Sequence, residues 1–182
     1  MLTLGVISDT HVPDKAPQLN PRVFDIFREA RVSAILHAGD ISTGNVIAQL
    51  EAIAPVHAVK GNRDWAQLSR LPRTLTLDFD GVRIGLAHGH GGVWQYFVGK
   101  YYYVTEGYRL DRFKHPLLRI FSGVKSIVFG HTHRPLNQWE GDVLLFNPGS
   151  ACCADEAKEY LPHVGLLTIS AGTVKGELIL LD

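Results

Sequence analysis

The chain is poor in cysteine: it has two, Cys152 and Cys153, and they are neighbours. Adjacent cysteines cannot close an ordinary disulfide without strain. A disulfide framework is therefore excluded, and a reducing, cytoplasmic setting is expected. An excess of charge is also missing, because 18 Lys and Arg balance 18 Asp and Glu. The surface as a whole is no trap for polyanions, so general nucleic-acid binding is not expected, while a local basic patch stays open. No apolar stretch reaches the roughly 20 residues that a membrane span needs. The first apolar run is short, has no basic flank or cleavage site, and stops at Asp9. No secretory leader is expected from it. Internal repeats and low-complexity linkers are absent too. With 182 residues and 46% hydrophobic content, the chain suits a single domain over 1–182 with a sizeable core.

What is abundant is histidine. There are nine, and His11, His88, His90, His131 and His133 fall in three very short segments. That clustering points to metal chemistry. His37 follows an apolar run and reads as a core or supporting histidine, and His57, His115 and His163 as structural or surface residues.

Leu2–Ser8, Ser33–His37 and Pro55–Lys60 are short apolar runs of the buried-strand kind. Between them, Asn20-Pro21 is a helix start with Asn as cap and Pro at the first position, and Asn45–Ile53 reads as a second helix. Strand–helix–strand–helix–strand predicts right-handed crossovers and a parallel sheet. Then Thr74–Phe79 and Val82–Ala87 flank Asp80-Gly81, which suits a type I′ hairpin turn. Further strands are expected at Lys125–Phe129, Leu136–Glu140, Val143–Phe146, Val164–Ile169 and Val174–Leu181. The expected fold is α/β, with two packed sheets flanked by helices. Residues 91–124 stand apart. They hold nine aromatic residues, and Lys100 to Lys125 carries six Lys and Arg against two acids. Trp94, Phe97, Val98, Tyr101 and Tyr108 roughly follow helical spacing, and Pro116 opens a short apolar stretch. The segment reads as a helical insertion that packs, closes over a site, or docks a partner.

Five strand-like runs end in polar clusters. These are Asp9-Thr10-His11, Gly39-Asp40, Gly61-Asn62-Arg63-Asp64, His88-Gly89-His90 and Gly130-His131-Thr132-His133. Sites in open α/β sheets lie beyond the carboxyl ends of strands, so the five should converge. In extended chain Asp9 and His11 point the same way, as do His131 and His133. The glycines at 39, 61 and 130 permit tight turns and a close ligand. Oxygen and nitrogen donors without cysteine favour manganese, iron, zinc, nickel or cobalt. Two carboxylates, one amide and four imidazoles exceed one ordinary centre. They suit a pair of divalent transition-metal ions, manganese foremost.

These five motifs, in this order and over nearly the whole chain, resemble the calcineurin-like metallophosphoesterase superfamily, most closely its small bacterial and archaeal phosphodiesterase branch. The resemblance implies a four-layer α-β-β-α sandwich. It implies that Asp9, His11, Asp40 and His133 hold one metal, and that Asp40, Asn62, His88 and His131 hold the other, with Asp40 bridging. It implies hydrolysis of a small phosphate ester, preferably a diester, by a hydroxide shared between the ions. Asn147-Pro148-Gly149-Ser150 resembles a turn that follows the last histidine motif in this branch. The wider family usually has histidine where this chain has Arg63. Arginine stays charged and cannot act as the acid, although it can bind phosphate or neutralise developing charge. His90 is expected to touch phosphate, orient a ligand or donate a proton, and Asp64 to orient a neighbour. Cys152 and Cys153 are expected to be small buried residues, with a position near the site, after that turn, as the alternative. Phosphomonoester or nucleotide-pyrophosphate hydrolysis is the nearest alternative, and a non-catalytic protein-binding scaffold is the alternative of another class. Homo-oligomers are not excluded.

Overall fold

The computed structural model describes residues 1–90, 105–153 and 160–182. Among the described residues, ten strands form two five-stranded sheets. The first has β1 (Leu2–Ile7), β2 (Ala34–His37), β3 (Val56–Ala58), β9 (His163–Ser170) and β10 (Thr173–Leu180), in the order β10-β9-β1-β2-β3. The second has β4 (Thr74–Phe79), β5 (Val82–Ala87), β6 (Ser126–Val128), β7 (Leu136–Glu140) and β8 (Val143–Asn147), in the order β4-β5-β6-β8-β7. β1, β2 and β3 are parallel to one another, as are β5, β6 and β8. Two sets of parallel strands thus offer two sets of carboxyl ends. The β4–β5 hairpin turns at Asp80 and Gly81, whose φ values of 52° and 76° suit the expected type I′ turn.

Helix α1 (Pro21–Glu29) starts as its sequence predicts: Asn20 Oδ1 accepts the Arg22 N–H at 2.9 Å, with Pro21 in the first turn. It buries Val23, Ile26 and Phe27. Helix α2 (Gly44–Glu51) is capped by Thr43 and buries Val46 and Leu50. Both helices pack against one face of the first sheet around Ile7, Ile35 and Val164. A second core lies between the sheets, with Leu4, Val6 and Leu36 meeting Ile84, Leu86, Val128 and Phe146. A third joins the second sheet to helix α3 (Asp111–Ile120) through Ile127, Phe129, Leu117 and Phe121. These three cores separate four layers, α-β-β-α. Removing one fully buried ring such as Phe27 should cost about 3–5 kcal/mol.

Of the expected insertion at 91–124, residues 91–104 lie outside the described residues, and with them the spacing of Trp94, Phe97, Val98 and Tyr101. The described remainder includes α3. Pro116 lies inside this helix rather than opening a separate stretch. The helix begins earlier because the Leu110 carbonyl accepts the N–H groups of Phe113 and Lys114, both at 2.9 Å. Leu117 and Phe121 then anchor its inner face. Pro116 leaves one helical carbonyl without its usual donor.

Candidate metal centre

All five polar clusters meet at one place, where the carboxyl ends of β1, β2 and β3 face those of β5 and β6. The first sheet delivers Asp9, His11, Asp40 and Asn62, and the second delivers His88, His131 and His133. Asp9, His11, Asp40 and His88 are buried. The turns that carry them are unusual. Asp9, His11, Asp40, His131 and His133 all have φ between 46° and 69°. Non-glycine residues adopt that region rarely and at a cost of order 1–3 kcal/mol. Asp9 and His11 therefore converge through left-handed turns, not through the extended alternation that the sequence suggests. The same holds for His131 and His133, which separate to opposite ends of the cluster.

At one end, Asp9 Oδ1 lies 3.4 Å from His133 Nε2 and 3.9 Å from His11 Nε2. The two imidazole nitrogens are 3.2 Å apart. At the other end, Asn62 Oδ1 lies 3.0 Å from both His88 Nε2 and His131 Nδ1. Asp40 spans the two. Its Oδ2 is 3.8 Å from His11 Nε2, and its Oδ1 is 3.4 Å from His88 Nε2. His88 Nδ1 donates to the Ala38 carbonyl at 2.7 Å. In a neutral ring the Nε2 lone pair then faces two acceptor oxygens, Asn62 Oδ1 and Asp40 Oδ1, with no hydrogen between them. Asp9 Oδ1 and His11 Nδ1 are buried with no hydrogen-bond partner among the described residues. Acceptors that converge on one another and a buried orphan carboxylate oxygen are what a cation satisfies. The donor set fits metal ions, with Asp9, His11 and His133 in one group and Asp9, Asp40 and His88 in another.

Protein groups alone set the protonation of the cluster. Burial drives His11 down to about 4 and His131 to about 3, so both imidazoles are neutral at pH 7. Burial also opposes charge on His133, but the Asp9 carboxylate 3.4 Å away and the neighbouring Cys153 push it up to about 10. Asp9 is itself buried, yet its pairing with His133 holds it below the usual carboxylate range. Burial raises Asp40.

Around the ligands is a frame that holds their turns. Asp64 is buried, and its carboxylate accepts four backbone N–H groups: Asp40 at 3.0 Å, Ile41 at 2.8 Å, Ser42 at 2.9 Å and Gly61 at 2.7 Å. It fixes the Asp40 turn to the Asn62 turn and does not face the ligand cluster. Gly39, at φ 90°, has room for no Cβ, which would meet Gly61 N at 2.8 Å and His88 Nδ1 at 2.9 Å. The glycines therefore make room for neighbouring ligand turns. His37 is wholly buried and forms a relay: the Gly39 N–H donates to Nδ1, Nε2 meets Thr10 Oγ1 at 3.3 Å, and that hydroxyl donates to Ile41 O. Burial lowers its pKa to about 4.

Sequence reasoning missed how the Asn147–Ser150 turn acts. Ser150 Oγ donates to the Asp9 carbonyl at 2.8 Å, and Asn147 Nδ2 donates to Gly130 O and Thr132 Oγ1. One turn thus braces the first and last motifs. The turn chemistry of Asn-Pro-Gly-Ser after an apolar strand was the available signal. Cys152 and Cys153 are half-buried free thiols rather than core fillers, and Cys153 lies beside His133. The Arg63 side chain is exposed, while its N–H donates to Asp40 Oδ1 at 2.8 Å. His90 lies 5.2 Å from the His88 ring and 6.1 Å from the His131 ring, with Nδ1 buried and unpaired among the described residues. Burial, and then the neighbouring His88, Arg73 and Lys60, lower its pKa to about 4. His57 and His163 are half-buried at strands, and His115 is exposed on α3.

An α/β sandwich that gathers acid, amide and imidazole groups between two sets of parallel strands defines a metal-binding hydrolase-like architecture. The sequence matches the calcineurin-like phosphoesterase superfamily domain over residues 2–172, and the chain belongs to that superfamily. It is 37% identical over 150 residues to a probable metallophosphoesterase of Methanothermobacter thermautotrophicus, covering 82% of this chain and 77% of that protein. It is 26% identical to a phosphodiesterase of Methanocaldococcus jannaschii, covering 83% of this chain and 85% of the relative. Among solved structures, a single-mutant Vps29 from Entamoeba histolytica superposes with a TM-score of 0.66 at 26% identity, over 98% of both chains. Membership implies divalent metal ions, and the cluster offers candidate ligands for them. No helix among the described residues is long and apolar enough to cross a membrane.

Proposed function

We propose that the chain acts as one domain over 1–182 and is a metal-dependent phosphodiesterase. Asp9, His11, Asp40 and His133 hold one divalent ion, and Asp40, Asn62, His88 and His131 hold the other. Manganese is the first candidate, with iron, zinc, nickel and cobalt compatible with the same donors. When bound, such a pair supplies Lewis acidity to phosphoryl oxygens and lowers the pKa of water. The observation that carries this reading is the Asp40 carboxylate, whose two oxygens face the two imidazole groups at 3.8 and 3.4 Å.

The chain's own side chains do the rest. Arg63, fixed by its N–H on Asp40, neutralises charge that grows on the phosphoryl group. His90, neutral at pH 7, orients the phosphate by hydrogen bonding rather than serving as an imidazolium acid. Asp64 is a positioning residue: through four N–H groups it holds Asp40 and Asn62 in register.

The likeness to Vps29 favours a second reading, a scaffold without catalysis. All seven ligand positions carry ligating side chains, which supports the enzyme. Protein stripped of metal and reloaded with manganese should hydrolyse bis(p-nitrophenyl) phosphate faster than p-nitrophenyl phosphate. The reverse preference selects a monoesterase. No hydrolysis, together with no retained metal, selects the scaffold.

A further inference from the structure

Three of the four positions from 131 to 134 are gripped by the segment that leads into α3. The His131 ring lies 6.0 Å from the Phe113 ring, tilted by 58°. The Thr132 side chain is hydrogen-bonded to the Tyr108 hydroxyl. The Arg134 guanidinium lies 4.7 Å over the Tyr108 ring and 5.6 Å over the Tyr160 ring. Tyr108 and Phe113 stack on each other, 5.9 Å apart and 20° from parallel. Phe113 is itself anchored. It sits in the first turn of α3, its N–H donates to the Leu110 carbonyl at 2.9 Å, and it packs against the third core.

The gripped turn needs support. His131 and His133 have φ of 69° and 57°, and such backbone persists only where its surroundings over-determine it. Restraints on the backbone are in place. The His131 N–H donates to Asp9 Oδ2 at 3.0 Å, and Asn147 Nδ2 spans Gly130 O and Thr132 Oγ1. These bonds do not fix the side-chain torsions of the His131 imidazole. Three rings restrict it: His88 at 5.1 Å, Phe113 at 6.0 Å and His90 at 6.1 Å. Of the three, Phe113 alone comes from outside the polar clusters. The other end of the cluster differs. Among the described residues, His11 and His133 pack on each other at 5.2 Å and on no phenylalanine or tyrosine ring.

We propose that Phe113 is a positioning residue for the metal centre: its ring holds the His131 imidazole with Nδ1 toward Asn62 Oδ1, 3.0 Å away. Tyr108 and Arg134 hold the Phe113 side of the grip in turn. The proposal rests on the two-ion phosphoesterase reading of the same site. Groups that orient a ligand side chain govern metal affinity by about 10–100-fold. Phe113 therefore sets the affinity of the ion at Asn62, His88 and His131 and leaves the ion at Asp9, His11 and His133 unaltered. The described part of the 91–124 segment then has a definite task, which is to brace the last ligand turn.

Calorimetric titration of metal-free protein with manganese tests this without relying on turnover. Phe113→Ala should weaken one of the two binding steps about tenfold and change the other by less than about twofold. Phe113→Leu keeps apolar bulk against the third core, so the helix stays packed, and it should show the same asymmetry. Phe113→Tyr retains the ring and should keep both steps. Combination with ligand variants identifies the step. Phe113→Ala added to Asp9→Asn should leave no tight site, whereas added to Asn62→Ala it should leave one. Equal weakening of both steps, or lower stability of the metal-free protein with both steps intact, overturns the positioning role alone. If the wild type takes up no ion, the metal reading fails and the positioning role falls with it.

Discussion

The two ends of the ligand cluster use the same kinds of side chain but balance their charge differently. At the Asp9–His11–His133 end, a buried carboxylate meets an imidazole whose pKa is pushed up to about 10, so an ion held there must displace a proton. At the Asp40–Asn62–His88–His131 end, the nearest groups to Asp40 Oδ1 include an imidazole tied to Ala38 O, and His131 is driven neutral by burial. There the converging groups are acceptors. The comparison teaches that geometric likeness does not make the halves electrostatically alike. Asp40 faces an imidazole of each end, His11 with Oδ2 and His88 with Oδ1.

The largest effect should come from removing that shared group. Asp40→Ala should cut metal-dependent diester hydrolysis by at least about a thousandfold and release both ions. Steady-state kinetics with metal analysis reads this, and full activity in the variant would rule out bridging. Next is the clamp that joins the two turns. Asp64→Ala leaves four N–H groups in need of partners and should cost about 3–5 kcal/mol in denaturant unfolding. A loss below about 1 kcal/mol would show that the turns hold themselves.

Acid should then act through His37, which lies beneath both ends. Its folded pKa of about 4 is below its usual value near 6.5. Between these values the unfolded chain binds a proton that the native protein refuses. Stability is therefore complete above pH 6.5 and falls as pH drops toward 4, by about 3 kcal/mol. His37→Gln should flatten that slope in unfolding curves taken at several pH values. The smallest effects should separate the ends. Asp9→Asn and Asn62→Ala should each weaken one ion by at least about tenfold. Metal titration should then give one tight and one weak site in either variant. Equal weakening of both ions by both variants would break the comparison.

Much of this was legible in the sequence. The β4 and β5 boundaries fall where the Asp-Gly turn places them, and the Asn20-Pro21 helix start is as expected. Those features are local. The candidate ligands were legible because residue type carries the donor atom. Less visible was the left-handed backbone at Asp9, His11, Asp40, His131 and His133. Local propensity opposes that conformation for such residues, and only the surrounding contacts enforce it. The role of Asp64 was half legible, since a turn carboxylate was expected to orient a neighbour. That the neighbours are backbone N–H groups of the Asp40 turn could not be read from residues 22 to 24 positions away. The path of Pro116 through α3 was missed because tertiary packing of Leu117 and Phe121 outweighs the lost hydrogen bond.

By itself, the sequence determined the strands, the order of the motifs and the atoms available to bind metal, because each follows from a few neighbouring residues. Tertiary structure alone decided which atoms face which. His11 and His133 are 122 positions apart, and they meet only because two sheets stack with their parallel strands ending on the same side. Long-range packing also determined which buried carboxylates face imidazoles and which face amide hydrogens. Burial removes water as a partner, so each such group depends on whatever the fold brings beside it.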